Sequence, residues 1–325
     1  MDQLTALLFS LLTFQLSFSG VISTTFTIEN KCDYTVWPGI LSNAGVAPLP
    51  ITGFVLQTGE SKTITAPTSW GGRFWGRTLC SQDSTGKFSC VTGDCGSGKL
   101  ECGGSGAKPP ATLAEFTLDG AGGLDFFDVS LVDGYNVPML VKPEGGTGQN
   151  CTSTGCEGDV NDACPSELRV MSTDGREGVA CKSACEAFGS PEYCCSGAFG
   201  SPDTCKPSSY SHIFKTACPR AYSYAYDDHT STFTCASADY TITFCPLPNT
   251  SQKSSQGQNT NSDNDNNNPP PSPSSTEASS GMVYDGAFVV SKASPSTCTH
   301  VLRSKGIVGV ISIMVAIWQL TCSSA

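Results

Sequence analysis

The sequence is poor in charge. Asp, Glu, Lys and Arg make up 14% of its 325 residues, and only three histidines are present. The balance is acidic, with 18 basic against 29 acidic side chains and a net charge of −11. A nucleic-acid partner, or adhesion to bare anionic lipid, is therefore disfavoured, because both need clustered Lys and Arg. No Cys-x-x-Cys and no Gly-x-Ser-x-Gly occurs. Gly93 to Lys99 approaches a phosphate loop, but Leu100 stands where Ser or Thr is required. His212 and His229 have no paired nucleophile signature and read as surface residues.

Against this scarcity stand 18 cysteines. Zinc binding fails on partners, since histidine is rare and the cysteines are too evenly scattered. Disulfides are the alternative, and they imply an oxidising compartment, because cytosolic thiols are kept reduced. No metal and no cofactor is expected.

Both ends carry processing signals. Leu4 to Phe18 is an apolar run followed by the small residues Ser19, Gly20 and Ser23. It lacks a basic flank and holds Asp2 instead, but its length is that of a signal peptide and short for a membrane span. Residues 1–23 are the expected signal peptide. Gly306 to Leu320 is a second apolar run, with no basic residue beyond it. Small residues at 291–296 and a spacer containing Arg303 and Lys305 precede it. Small site, spacer and apolar tail in that order form a GPI-type anchor signal, whose tail is removed. Ser294 is the expected attachment site, with Ala293 and Ser296 as alternatives, and residues 294–325 the propeptide. A single-span membrane protein is the rival reading, but the run falls short of about twenty apolar residues. Removal of the tail before Cys298 leaves an even number of cysteines between Cys32 and Cys245.

Residues 250–293 are rich in Asn, Ser and Pro and nearly free of large apolar side chains up to Ser280. Such a segment cannot bury enough surface to offset chain entropy and reads as a stalk. Asn249 at its border and Asn150 are glycosylation acceptors by pattern.

Residues 24–249 are the folded part. Strand patterns occur at Thr25 to Glu29, Tyr34 to Trp37, Ser61 to Thr65, Leu113 to Leu118, Leu124 to Leu131 and Asp239 to Phe244. Turn residues at short spacing between them imply an all-β sandwich or barrel. Residues 151–205 differ: they hold eight cysteines, little strand pattern, and one expected short helix around Cys181 to Phe188, stopped by Gly189 and Pro191. The expectation is a β-sandwich core with a cysteine-rich lobe beside it.

The stretch from Gly86 to Cys102 (Gly-Lys-Phe-Ser-Cys-Val-Thr-Gly-Asp-Cys-Gly-Ser-Gly-Lys-Leu-Glu-Cys) resembles the signature of the thaumatin-like family, the plant pathogenesis-related proteins of class five. Further matches are Tyr34 to Trp37, Phe74 to Thr78, Thr112 to Phe116, Asp133 to Met139, Glu192 to Cys195 and Phe244 to Pro246. The resemblance runs over residues 24 to 247. It implies a thaumatin-type β-sandwich, a disulfide-rich lobe with a short helix, and a small disulfide-bonded hairpin region. It also implies the bridges Cys32–Cys245, Cys80–Cys90, Cys95–Cys102, Cys151–Cys235, Cys156–Cys218, Cys164–Cys181, Cys185–Cys194 and Cys195–Cys205. Spacing by itself selects no pairing.

The family's acidic cleft maps onto Arg73, Glu115, Asp128, Asp133 and one of Asp227 and Asp228, with Asp228 preferred. Glu115 and Asp128 lie in otherwise apolar strand sequence, where a carboxylate must find a partner or face a groove. Arg73 is a candidate bidentate partner. Carboxylates suit the hydroxyl donors of a sugar, and Phe126, Phe127 or Tyr135 offers a ring face for stacking. Paired carboxylates also hydrolyse glycosides; in that case Glu115 is the expected acid and Asp128 or Asp133 its partner.

Three functions follow from the resemblance: a β-1,3-glucan-binding defence protein at the wall or outer membrane face, a weak endo-β-1,3-glucanase, or an inhibitor of microbial hydrolases. The expected partners are β-glucan or another wall polysaccharide, or microbial proteins. The membrane is reached only through the lipid anchor, and the protein is expected to be a monomer. Between residues 24 and 249 stand 14 basic and 24 acidic side chains, a net of −10, which argues against direct membrane permeabilisation.

Overall fold

The computed structural model describes residues 23–246. Residues 1–22 of the expected signal peptide, the stalk and the anchor signal, together with Asn249, lie outside the described residues, while Ser23 opens the first strand. The strands are β1 Ser23–Asn30, β2 Trp37–Ser42, β3 Ser61–Pro67, β4 Gly71–Gln82, β5 Phe88–Thr92, β6 Leu113–Thr117, β7 Asp125–Ser130, β8 Met139–Glu144, β9 Thr154–Cys156, β10 Arg169–Met171, β11 Gly178–Cys181, β12 Phe233–Cys235 and β13 Asp239–Phe244.

Two sheets carry the core. One runs β3-β1-β13-β8-β9; the other runs β12-β7-β6-β4-β2, with β5 paired to the far part of β4. Period-two alternation explains which face each strand buries. In β1 it turns Phe26 and Ile28 inward, in β3 Ile64 and Ala66, and in β13 Tyr240, Ile242 and Phe244. From the second sheet Phe74, Phe116 and Phe127 point into the same space. Phe26 lies at its centre, with ring centroids 4.9 Å from Phe74, 4.8 Å from Phe116 and 5.7 Å from Tyr240. Tilted, edge-on and stacked contacts of this kind contribute about 0.5–1.5 kcal/mol per pair beyond area burial.

The two ends of the folded part meet. β1 and β13 pair in parallel, Phe26 opposite Tyr240 and Ile28 opposite Ile242, and Cys32 is bonded to Cys245 just beyond them. The expected strand at Tyr34 to Trp37 begins only at Trp37. Before it, Asn30 Nδ2 donates to the Tyr34 carbonyl at 2.9 Å and holds a bend.

Eight disulfides are closed among the described residues. Besides the terminal bridge they join Cys80 to Cys90, Cys95 to Cys102, Cys151 to Cys235, Cys156 to Cys218, Cys164 to Cys181, Cys185 to Cys194 and Cys195 to Cys205. The lobe contains the β10–β11 hairpin and short helices: α1 Val160–Ala163, α2 Ala184–Phe188 and α3 Pro191–Cys194. The expected helix is α2, starting later than Cys181 because that residue still belongs to β11. Ser183 Oγ accepts from the Glu186 amide at its start, and Gly189, at φ 64°, ends it. The longest described helix, α4 Ser209–Ala217, was not among the expected elements and lies beyond the 151–205 bounds, although Tyr210, Ile213, Phe214 and Ala217 follow the helical period. A reciprocal cap between Ser208 and Ser211 starts it, and it buries Phe214. A last short helix, α5 Asp228–Ser231, precedes β12.

Candidate functional site

The alternation that sends Phe74, Phe116 and Phe127 into the core sends their neighbours to the opposite face of the second sheet. There Arg73 on β4 lies directly opposite Glu115 on β6, and Glu115 directly opposite Asp128 on β7. Three strands thus set one cation and two carboxylates in a row. Arg73 Nε is 3.5 Å from Glu115 Oε1, with 27% and 14% of the two side chains exposed. Like charges directly opposite each other on a sheet repel. Burial, with the Glu115 carboxylate beside it, holds the Asp128 carboxyl well above the usual carboxylate range; Arg73 opposes this and Asp228 adds to it. Arg73 Nε and Asp128 Oδ1 are buried without a hydrogen-bond partner in the protein. Arg73 Nε is thus held by the long ion pair to Glu115 alone, and Asp128 Oδ1 has no donor from the protein.

Asp133 follows β7 in a loop that also approaches Arg73. Burial raises its carboxyl, and Arg73 lowers it. The loop is set by Gly134 at φ +85°, where a Cβ would come 2.6 Å from the Cys181 carbonyl. Asp228 arrives from the segment 221–231. This segment runs along the end of β7 through Tyr222 N–H to Val129 O and Leu131 N–H to Tyr222 O, both at 2.9 Å. The Tyr222 hydroxyl donates to Asp228 Oδ1 at 2.9 Å. Asp227 takes another role: its Oδ2 lies 2.8 Å from Lys215 Nζ and accepts from Ser223. The electrostatics therefore bring together Arg73, Glu115, Asp128, Asp133 and Asp228, while Asp227 serves the loop.

The ring faces correct an expectation. Phe127 is 1% exposed and Tyr135 0%, both in the core; Tyr135 also pairs its backbone with Cys181. They cannot stack on a ligand. Phe126 shares the Asp128 face of β7 and is partly exposed. His212 and His229 are exposed. Asn150 is exposed, and its amide donates to the Thr232 carbonyl at 3.0 Å.

Sequence reasoning missed Glu186. It projects from α2, with Lys182 Nζ 4.0 Å away and Oε2 buried without a hydrogen-bond partner. Burial pushes its carboxyl up to about 7; Lys182 counters this and Asp133 reinforces it. The one signal in the sequence was Ser183 three residues earlier, which marks a helix start and says nothing of a cleft. Lys215 and Tyr222 were missed for the same reason: their role lies in contacts distant along the chain.

The thaumatin family model matches residues 30–246. The chain belongs to the thaumatin family. Thaumatin-like protein 1 of Arabidopsis thaliana is 62% identical over 70% of this chain and 88% of its own length. Pathogenesis-related thaumatin-like protein 3.5 of Cryptomeria japonica is 59% identical over 69% of this chain and 90% of its own. A protein of Prunus avium named glucan endo-1,3-beta-glucosidase is 53% identical over 71% of this chain and 94% of its own. The fold of this family member is the mostly-β, disulfide-rich architecture described above.

Proposed function

We propose that this thaumatin-family chain is an extracellular, defence-related protein that binds β-1,3-glucan-type carbohydrate in the acidic cleft. The observation that carries the reading is the cross-strand row of Arg73, Glu115 and Asp128, with Asp133 and Asp228 beside it. A sugar hydroxyl is donor and acceptor at once. Successive hydroxyls accept from the guanidinium and donate to the carboxylates, and a hydrogen bond to a charged group contributes about 1.5–3 kcal/mol. Eight closed bridges suit an oxidising, extracellular compartment. Export by residues 1–23 and a lipid anchor at Ser294 complete the proposal, with the membrane reached only through that lipid.

A second reading is weak endo-β-1,3-glucanase activity, favoured by the Prunus avium relative's name. The geometry argues for binding first. Glu115 and Asp128 are cross-strand neighbours on one wall, whereas hydrolysis needs two carboxyls flanking the scissile bond. If turnover occurs, Glu115 is the expected acid and Asp128 or Asp133 its partner. The experiment is co-sedimentation with insoluble β-1,3-glucan, scored together with reducing-end release, for the parent protein, Glu115→Gln and Asp128→Asn. Retention without new ends in the parent identifies a binder. New ends lost in Glu115→Gln identify the enzyme. Neither signal refutes both readings.

A further inference from the structure

The lobe carries a second feature of the surface that the acidic row does not use. Phe188 at the end of α2, Tyr193 in α3 and Tyr210 in α4 pack their rings against one another. Centroids are 5.7 Å apart for Phe188–Tyr193, 5.3 Å for Phe188–Tyr210 and 5.9 Å for Tyr193–Tyr210. Phe188 is 43% exposed. The Tyr210 hydroxyl donates to Glu167 Oε1 at 3.1 Å, which fixes that ring. The Cys185–Cys194 and Cys195–Cys205 bridges clamp the two short helices beneath. Such a platform is rigid before any ligand arrives, so binding to it loses little side-chain entropy.

The platform borders a cavity on the side of the segment that carries Asp228. Tyr193 also lines a small cavity of about 30 Å³, together with Ser183, Glu192, Ser223 and Tyr224. Ser183 caps the helix that bears Glu186. Ser223 holds Asp227, and Tyr224 lies in the field of Asp227 and Asp228. One wall therefore runs from Asp228 past Tyr224 to Tyr193 and Phe188.

We propose that the carbohydrate groove continues onto this aromatic platform, which takes further pyranose units of a β-glucan chain by stacking. The proposal rests on the reading of the cleft as a glucan site and adds a subsite to it. A β-linked pyranose presents an apolar face of C–H groups, and an aromatic ring fixed in water is its natural complement. The rim is mixed in sign, with Glu167, Glu192 and Lys206, which suits a neutral polymer. A protein partner or a second copy fits poorly. Three partly buried rings offer a few hundred Å² at most, below the roughly 1,000 Å² of a specific protein interface.

The test is calorimetric titration of the full-length secreted protein with linear β-1,3-glucan trisaccharide and hexasaccharide, accompanied by light scattering. The parent should bind the hexasaccharide about tenfold or more tightly than the trisaccharide, the scale of one ring-stacking contact. Phe188→Ala should bring the hexasaccharide down to the trisaccharide level and leave the trisaccharide unchanged; Phe188→Tyr should restore the gain. Phe188 is 43% exposed and lies outside the hydrophobic core, so its replacement does not open the core. A length gain that survives Phe188→Ala overturns the subsite. A parent that binds both lengths equally overturns the subsite alone and leaves the cleft reading standing. A parent that binds neither overturns both. A Phe188→Ala change in molecular mass without change in glucan binding also overturns the proposal, in favour of self-association.

Discussion

Lys215 and Asp227 form a half-buried ion pair, Nζ to Oδ2 2.8 Å, that fixes the segment carrying Asp228. The same ammonium donates to the Ala221 carbonyl at 3.0 Å and to Ser231 Oγ at 2.9 Å. It thus ties both ends of the segment to α4. Lys215→Met removes three partners at once. The expected cost is about 2–3 kcal/mol of stability, the scale of lost hydrogen bonds to a charged group. Chemical denaturation measures it, and glucan retention should weaken in the folded variant because Asp228 is no longer held.

Arg73 is the cation of the sheet row, and Arg73→Gln keeps much of its volume while removing the charge. Glu115 and Asp128 then face each other without it. Glucan co-sedimentation should fall about tenfold or more, the equivalent of one charge-assisted hydrogen bond. Retention equal to the parent's would exclude the guanidinium from the binding site.

The Glu186 carboxyl gives a pH dependence of definite sign. In the fold it titrates near 7, against an ordinary value of 4.5. A group raised in the folded state contributes stability that is fully present below its unfolded value and is lost as pH rises through the folded value. The protein should therefore lose thermal stability between about pH 4.5 and 7. Asp133, raised by burial, and Asp128, raised by burial and Glu115, act in the same direction. Glu186→Gln should flatten the upper part of this fall in Tm. A curve as steep as the parent's up to about pH 7 would remove Glu186 as its source.

Arg77 is wholly buried and donates to three carbonyls, of Trp37 at 2.9 Å, Pro38 at 3.2 Å and Leu100 at 2.7 Å. Loss of solvation lowers its guanidinium to about 10, so it remains charged at neutral pH. It joins the start of β2 to the loop closed by Cys95–Cys102. Arg77→Ala strands those carbonyls, and a loss of about 3 kcal/mol or more is expected. Equilibrium denaturation checks the loss, and faster amide exchange in residues 93–102 would locate it.

The bridge between Cys32 and Cys245 spans 213 residues. Replacing both cysteines with serine should cost about 2–5 kcal/mol, chiefly by freeing the unfolded chain. The parallel β1–β13 pairing then has to close without a covalent tie. Thermal unfolding of the double variant under oxidising conditions reads the difference.

Several strands were legible because their local patterns are strong. Thr25 to Glu29 and Asp239 to Phe244 alternate cleanly, and both form strands. Gly189 marked the end of α2 by its own backbone freedom. The long β4 was not legible, because residues Phe74 to Thr78 are buried on both faces and show no alternation. The helix α4 was overlooked although Tyr210, Ile213, Phe214 and Ala217 carry the helical period, because nine residues between cysteines give only about two turns of signal. The acidic residues were found through family resemblance, and their chemistry was found through alternation. Glu186 escaped because nothing near it in sequence tells where α2 points.

The sequence by itself determined the class of fold and the residue types available to the site. Cysteine number, strand alternation and the signature from Gly86 to Cys102 are local or compositional properties, and they need no knowledge of packing. Only the tertiary structure decided which side chains share a wall. Register between β4, β6 and β7 put Arg73, Glu115 and Asp128 in one row and sent Phe127 to the core. Lobe docking brought Glu186 toward Asp133, and pairing of the 221–231 segment with the end of β7 brought Asp228 toward Asp128. The physical reason is that burial and charge act through space, between residues the chain separates by dozens of positions.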